Sequence, residues 1–132
     1  MKRNVAIIVQ RYGEKVSGGG EFYAKTMAEH LAPFYNVEVI TTTCLDYMMW
    51  DDFYPEGQEI LNGVKVTRFR AEHERNWGEF DKLSQKLYVD IMNNQETNRE
   101  EDIEWIESEG PYCPKMVEYV ERNAEKYDAV FV

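Results

Sequence analysis

Cysteine and histidine are scarce in this chain of 132 residues, and the scarcity of each excludes a class of protein. The two cysteines, Cys44 and Cys113, lie far apart and cannot form the disulfide framework of a small secreted domain. The two histidines have no partners at metal-ligand spacing, so we expect no metal site and no cofactor. A hydrophobic content of 43% also argues against a disordered chain.

Long apolar runs are missing as well. The longest early run, Val5–Val9, has five residues, whereas an export signal needs about 7–15 apolar residues and a membrane span about 20. We therefore expect a cytoplasmic protein without a transmembrane segment.

The chain has few basic residues: it contains 15 Lys and Arg but 25 Asp and Glu, which gives a net charge of −10. Such a chain repels phosphate backbones, so we expect no nucleic-acid partner. The excess is uneven, since residues 1–70 carry 8 basic and 9 acidic side chains and residues 71–132 carry 7 and 16. An anionic ligand is therefore expected in the first half.

The first forty residues predict a βαβ unit. Val5–Val9 is a continuous apolar run, typical of a strand covered on both faces of a parallel sheet. The glycines Gly18 to Gly20 follow, then helical spacing over 21–32 and a second strand over 36–42. Strand, glycine loop, helix and strand in this order indicate an α/β protein.

The middle of the chain predicts a small β-hairpin around Asn62-Gly63, with arms at 59–61 and 64–70. The second arm alternates apolar and polar residues, so we expect one of its faces to be solvated or only partly covered.

The second half predicts three helices and a final strand over 127–132. Their starts are predicted at the Asn76 and Thr97 capping boxes and at Pro114. The inward faces are predicted to be Phe80, Leu83, Leu87, Tyr88 and Ile91 in the first of these helices and Val117, Val120 and Ala124 in the third.

Together these elements predict a single domain over 1–132 with the architecture of a three-layer, Rossmann-like α/β fold and a mostly parallel sheet. The closing strand is apolar up to Val132. Natural domains seldom stop at the inner end of a strand, so we expect the chain to be a fragment of a longer protein.

The glycine loop is the strongest chemical signal. Gly18, Gly19 and Gly20 with Glu21 at the start of a helix could bind an anion through unpaired backbone N–H groups. Arg11 is near enough in sequence to contribute charge, and Glu21 could cap the helix or touch a ligand. A turn needing positive φ angles explains the glycines equally well. Neither the P-loop nor the dinucleotide-binding pattern is matched.

An aromatic segment over 43–59 follows the second strand. Tyr47 and Trp50 lie in it, and aromatic rings beside carboxylates often bind sugars. The same residues could instead cover the end of the sheet or form a docking surface.

Several short motifs are each weak evidence for a protein family, but their order and spacing along the chain are more specific. Gly19-Gly20-Glu21 and the hairpin over 62–69 resemble the N-terminal domain of group 1 glycosyltransferases, enzymes of the two-domain GT-B fold. The segments 46–50, 54–57 and 110–114 resemble a bacterial subgroup of that family, so the resemblance covers nearly the whole chain.

The resemblance implies a retaining transfer of sugar from a nucleotide-sugar donor to a glycan or small-molecule acceptor, without a metal. It implies that the donor and the paired glutamates of the family lie mainly on a C-terminal domain outside these residues, so no catalytic residue is expected here. Gly18 to Gly20, Glu21 and Arg11 would contact ligand, and Tyr47 and Trp50 would belong to an acceptor loop. The alternative is a stand-alone Rossmann-like module that binds a nucleotide or a protein without catalysis.

Overall fold

The computed structural model describes residues 1–132 as a mixed, mostly parallel five-stranded sheet with four α-helices. The α/β class is thereby confirmed, and none of the helices is both long and apolar enough to cross a bilayer. The elements are β1 (Asn4–Ile8), α1 (Gly19–Leu31), β2 (Asn36–Thr42), β3 (Gly57–Leu61), β4 (Val64–Phe69), α2 (Trp77–Met92), α3 (Arg99–Glu109), α4 (Pro114–Asn123) and β5 (Ala129–Phe131).

The strands lie in the order β3-β4-β2-β1-β5. β3 is antiparallel to β4, and the other three pairings are parallel. The chain leaves β1 for β2 on one side and returns at the end to β5 on the other side. The strand order therefore reverses between β1 and β5, which is where open parallel sheets bind ligands beyond their carboxyl ends.

Helices cover both faces of this sheet. Ala24 and Ala28 of α1 pack in one buried cluster with Val39 of β2. Because successive strand residues point to opposite faces, Glu38 lies on the other face, where it accepts a hydrogen bond of 2.7 Å from the Tyr119 hydroxyl of α4. The sheet is thus sandwiched between α1 and α4.

The hairpin is present, with Asn62 and Gly63 both at positive φ (50° and 80°) in its turn. The second arm, β4, is only partly covered on one face, as expected: Lys65 and Phe69 are half-buried there, although Thr67 between them is 3% exposed. On the opposite face Arg68 is 2% exposed, because β4 lies between β3 and β2 and the Arg68 guanidinium donates to the Tyr12 carbonyl.

The inward faces predicted for the helices of the second half are correct in part. Three of the five residues named for α2 are half-buried: Phe80, Leu83 and Leu87. No residue of α2 is buried, and Tyr88 and Ile91 are 65% and 63% exposed. α2 pairs with α3 in a helical hairpin instead of covering the sheet. Val117 of α4 is 55% exposed, because that helix turns Tyr119 to the sheet.

One of the two predicted helix N-caps is confirmed, and the other is displaced by one residue. The Asn76 side chain accepts from the Glu79 backbone N–H and opens α2. The cap of α3 is Asn98 rather than Thr97, and its side chain accepts from the Glu100 backbone N–H.

Candidate functional site

The loops that follow the parallel strands meet at the carboxyl edge of the sheet. The Thr42 hydroxyl at the end of β2 donates to the Gln10 carbonyl in the loop after β1, at 2.6 Å. In the same loop, Arg11 donates to the Leu45 carbonyl in the loop after β2, at 2.7 Å. The loops after β1 and β2 are therefore held side by side by hydrogen bonds between residues 32 and 34 positions apart.

Arg11 is the organising side chain of this edge and is only 5% exposed. Its guanidinium donates to a Glu21 carboxylate oxygen from Nη2 (2.7 Å) and Nε (3.1 Å), and Nη2 also donates to the Ser17 carbonyl at 2.8 Å. The Tyr47 ring lies 5.4 Å from the guanidinium carbon. Because Glu21 neutralises it, Arg11 shapes the loop more than it offers free positive charge.

Gly18 is the one glycine of the loop that the fold itself requires. It precedes α1 with φ of 139°, a conformation that side chains rarely adopt. A Cβ atom at this position would lie 2.3 Å from a Glu21 carboxylate oxygen and 3.2 Å from Arg11 Nη2. Gly18 therefore permits the Arg11–Glu21 pair to close over the backbone.

Gly19 and Gly20 are open. A Cβ atom at either position would have no heavy atom within 4 Å, and both residues are exposed. They occupy the first turn of α1, whose N-cap makes no side-chain hydrogen bond. Free N–H groups at the positive end of a helix are suited to a phosphate or carboxylate oxygen.

A cavity of about 600 Å³ adjoins Gly20 at the point where the strand order reverses. Most of its lining is apolar, and Gly20 and Glu21 supply a polar rim. Its size is within the range of small-molecule sites. The apolar lining includes Ile7, Val9, Tyr23, Met27, Met116 and Phe131.

The two aromatic residues of the predicted acceptor loop have different surroundings. Tyr47 is 56% exposed beside Arg11. Trp50 is 5% exposed and donates from Nε1 to the Glu109 carbonyl at 2.7 Å, with the Arg75 guanidinium 5.3 Å from its ring. Trp50 thus ties the loop to the end of α3, and Tyr47 is the one of the two that faces solvent.

A second arginine at this edge, Arg68, was not singled out by the sequence. It donates to the Tyr12 carbonyl at 2.8 Å, and its guanidinium carbon lies 4.3 Å from the centre of the Tyr54 ring. Tyr54 in turn lies so close to Gly13 that a Cβ atom there would be 2.3 Å from the hydroxyl. No local pattern predicts this cluster, because its members come from three separate segments.

Neither thiol is activated. Burial raises the pKa of Cys44 to about 11, and burial also raises the pKa of Cys113. Both thiols are therefore protonated at neutral pH and unsuited to nucleophilic catalysis.

Acidic, histidine and cysteine side chains do not gather in any group of three or more that could hold a metal ion. Comparison of the chain with family models, curated proteins and solved structures gave no significant match. The function proposed below therefore draws on the sequence resemblance and on the geometry of this edge.

Proposed function

We propose that this chain is the acceptor-side domain of a retaining glycosyltransferase of the GT-B fold, which moves a sugar from a nucleotide-sugar donor to a glycan or small-molecule acceptor. The observation that carries the proposal is the open glycine pair, Gly19 and Gly20, at the start of α1 beside the cavity between β1 and β5. A Rossmann-like half of such an enzyme needs a ligand-accessible backbone at this position.

In this proposal the first turn of α1 faces the phosphates of the donor. As the bond from the sugar to the diphosphate breaks, negative charge grows on the leaving oxygen. N–H groups that are already aimed at that charge stabilise it without reorganising. The Arg11–Glu21 pair keeps the loop in the shape that exposes Gly19 and Gly20.

The acceptor then occupies the neighbouring cavity and the surface of Tyr47. The cavity supplies apolar contact, and the exposed Tyr47 ring supplies a stacking face for a sugar or another flat apolar surface. The paired glutamates and most of the donor contacts would come from a second domain, as the resemblance implies.

The test is a transfer assay on the full-length protein that contains this chain, with UDP-glucose and GDP-mannose as donor probes and release of the nucleoside diphosphate as readout. Gly20→Ala adds a methyl group to open space, so we expect the fold to persist while kcat/KM falls by about tenfold or more. Gly78→Ala, in the first turn of α2, is the matched control and is expected to keep full activity.

Two results would contradict the proposal. One is a full-length protein that releases no diphosphate from a panel of nucleotide sugars. The other is a Gly20→Ala protein as active as the Gly78→Ala control. In either case, nucleotide binding without turnover would favour the stand-alone binding module.

A further inference from the structure

The α2–α3 hairpin carries exposed apolar side chains that nothing in the fold covers. Ile103 and Ile106 of α3 are 43% and 61% exposed, and Tyr88, Ile91 and Met92 near the end of α2 are each more than 60% exposed. The hairpin is joined to the rest of the domain at its base, where Arg75 donates to the Glu109 carbonyl at 2.6 Å.

The outward side of α3 is fixed by its contact with α2. Trp105 Nε1 donates to the Ser84 hydroxyl of α2 at 2.8 Å, so this side of α3 faces its partner helix. Residues two positions from Trp105 lie on nearly the opposite side of a helix. Ile103 and Glu107 therefore point away from α2, and both are exposed.

This outward side combines isoleucines with two carboxylates and one cation, Arg99, in the first turn of α3. The neighbours of Ile103 at three and four positions along the helix are Arg99, Glu100, Ile106 and Glu107. Glu100 and Glu107 have no ion-pair partner within 4 Å. We call the four residues Glu100, Ile103, Ile106 and Glu107 the α3 stripe.

The charge of the hairpin limits what can cover it. Residues 77–109 carry 10 acidic and 3 basic side chains, a net charge of −7 in a chain whose total is −10. Lys86, the one cation of the hairpin with an ion-pair partner within 4 Å, is engaged by Asp90 and Glu101 of the hairpin itself. A second copy would bring two acidic stripes together, and an anionic bilayer would repel the hairpin.

We propose that the α3 stripe binds a basic amphipathic helix of a protein partner. An apolar seam on such a helix would cover Ile103 and Ile106, while flanking lysines or arginines would pair with Glu100 and Glu107. This is the arrangement by which charged residues beside an apolar seam select the partner of a helix. The proposal is independent of the glycosyltransferase assignment, because it uses no residue of the carboxyl edge.

The probe is a synthetic peptide of about 18 residues, five helical turns, with leucines along one face and lysines on both sides of it. A scrambled peptide of the same composition has no apolar face. We expect the chain to bind the first peptide more tightly than the second by about tenfold or more, and the binding to weaken as salt is added. Fluorescence anisotropy of the labelled peptides measures both.

Variants of the α3 stripe, each compared with a matched control variant, test whether the peptide binds at the stripe. Ile103→Ser with Ile106→Ser is expected to weaken binding by about tenfold or more, whereas Ile60→Ser, at a 71% exposed isoleucine of β3, is not. Glu100→Gln with Glu107→Gln is expected to weaken binding and flatten its salt dependence. Glu121→Gln with Glu125→Gln removes the same charge from exposed positions elsewhere and serves as its control. Circular dichroism verifies that each variant is folded.

Several outcomes would overturn the proposal: equal binding of the two peptides, equal losses in the control variants, or no binding. So would attachment of the chain to phosphatidylglycerol vesicles that Ile103→Ser with Ile106→Ser abolishes, since a membrane would then be the occupant. Dimerisation that depends on the same two isoleucines would assign the stripe to a second copy.

Discussion

At the scale of single residues, three consecutive glycines have two different roles. Gly18 is held at φ of 139° against the Arg11–Glu21 pair, whereas Gly19 and Gly20 have free space where a side chain would be. The fold accounts for Gly18, whereas the open space at Gly19 and Gly20 leaves their backbone accessible to the ligand of the proposed function.

This difference predicts opposite effects of one substitution. Gly18→Ala should lower the free energy of unfolding by about 1–3 kcal/mol, because the methyl group is strained at this φ and collides with Glu21. Gly20→Ala should leave the free energy unchanged or raise it by up to about 1 kcal/mol, since alanine favours helix. Urea denaturation of both variants measures the difference. If Gly18→Ala and Gly20→Ala had equal free energies of unfolding, the Arg11–Glu21 pair would not be packed closely against the Gly18 backbone.

The sequence predicts the location of this loop but not its internal contacts. Apolar periodicity and the three glycines suffice to place a turn between β1 and α1. The pairing of Arg11 with Glu21 depends on the path of the loop between them, and the contact of Arg11 with the Leu45 carbonyl depends on the neighbouring loop. Contacts across such separations leave no local pattern.

At the scale of elements, the strands were predictable because β1, β2 and β5 are rich in apolar and β-branched residues and the Asn62-Gly63 turn marks the hairpin of β3 and β4. The predicted bounds agree with the structure to within about two residues. The inward faces of α2 and α4 were predictable only in part, since Phe80 and Val120 are half-buried whereas Tyr88 and Val117 are exposed. Periodicity identifies an apolar side of a helix, but only the tertiary fold decides whether a sheet, another helix or solvent meets that side.

One buried carboxylate joins three elements and the segment before β5, and its titration affects how they respond to acid. Glu38 of β2 accepts hydrogen bonds from the Thr67 hydroxyl of β4 (2.6 Å), from Tyr119 of α4 and from Tyr127 just before β5. Burial by itself raises the pKa of Glu38, but these three hydrogen bonds and the Lys65 charge outweigh it, so the pKa is lowered.

A lowered pKa in the folded state means that the ionised form stabilises the fold. This contribution is complete above the unfolded pKa of about 4.3 and is lost as the pH falls through the lower folded pKa. Tyr127→Phe removes one donor, so we expect a smaller pKa shift and an acid unfolding midpoint at higher pH. Tyr23→Phe, at a 69% exposed tyrosine outside the cluster, should leave the midpoint in place.

Fluorescence-monitored acid unfolding of the two variants measures these midpoints. An unchanged midpoint in Tyr127→Phe would mean that Glu38 keeps its low pKa through Thr67, Tyr119 and Lys65 alone. A shift of the same size in Tyr23→Phe would point to a general loss of stability.

At the scale of the whole molecule, the distribution of charge bears on catalysis. A nucleotide diphosphate needs positive charge around it, and the open glycines offer only N–H groups. Arg11 is neutralised by Glu21, and Arg68 is directed to the Tyr12 carbonyl and Glu59. The exposed Lys15 is the remaining cation of the segment between β1 and α1.

The 132-residue chain alone is therefore expected to show no sugar transfer. A single exposed lysine and one helix end supply only part of the positive charge that a leaving diphosphate needs, and under the proposed function the remaining charges come from a second domain. The measurement is release of UDP or GDP from UDP-glucose and GDP-mannose by the purified chain, compared with a sample without protein. Release above that background which Gly20→Ala abolishes would show that these residues hold a complete active site, and the division of the site between two domains would be wrong. Release that Gly20→Ala leaves unchanged would point to a contaminating enzyme, which further purification would remove.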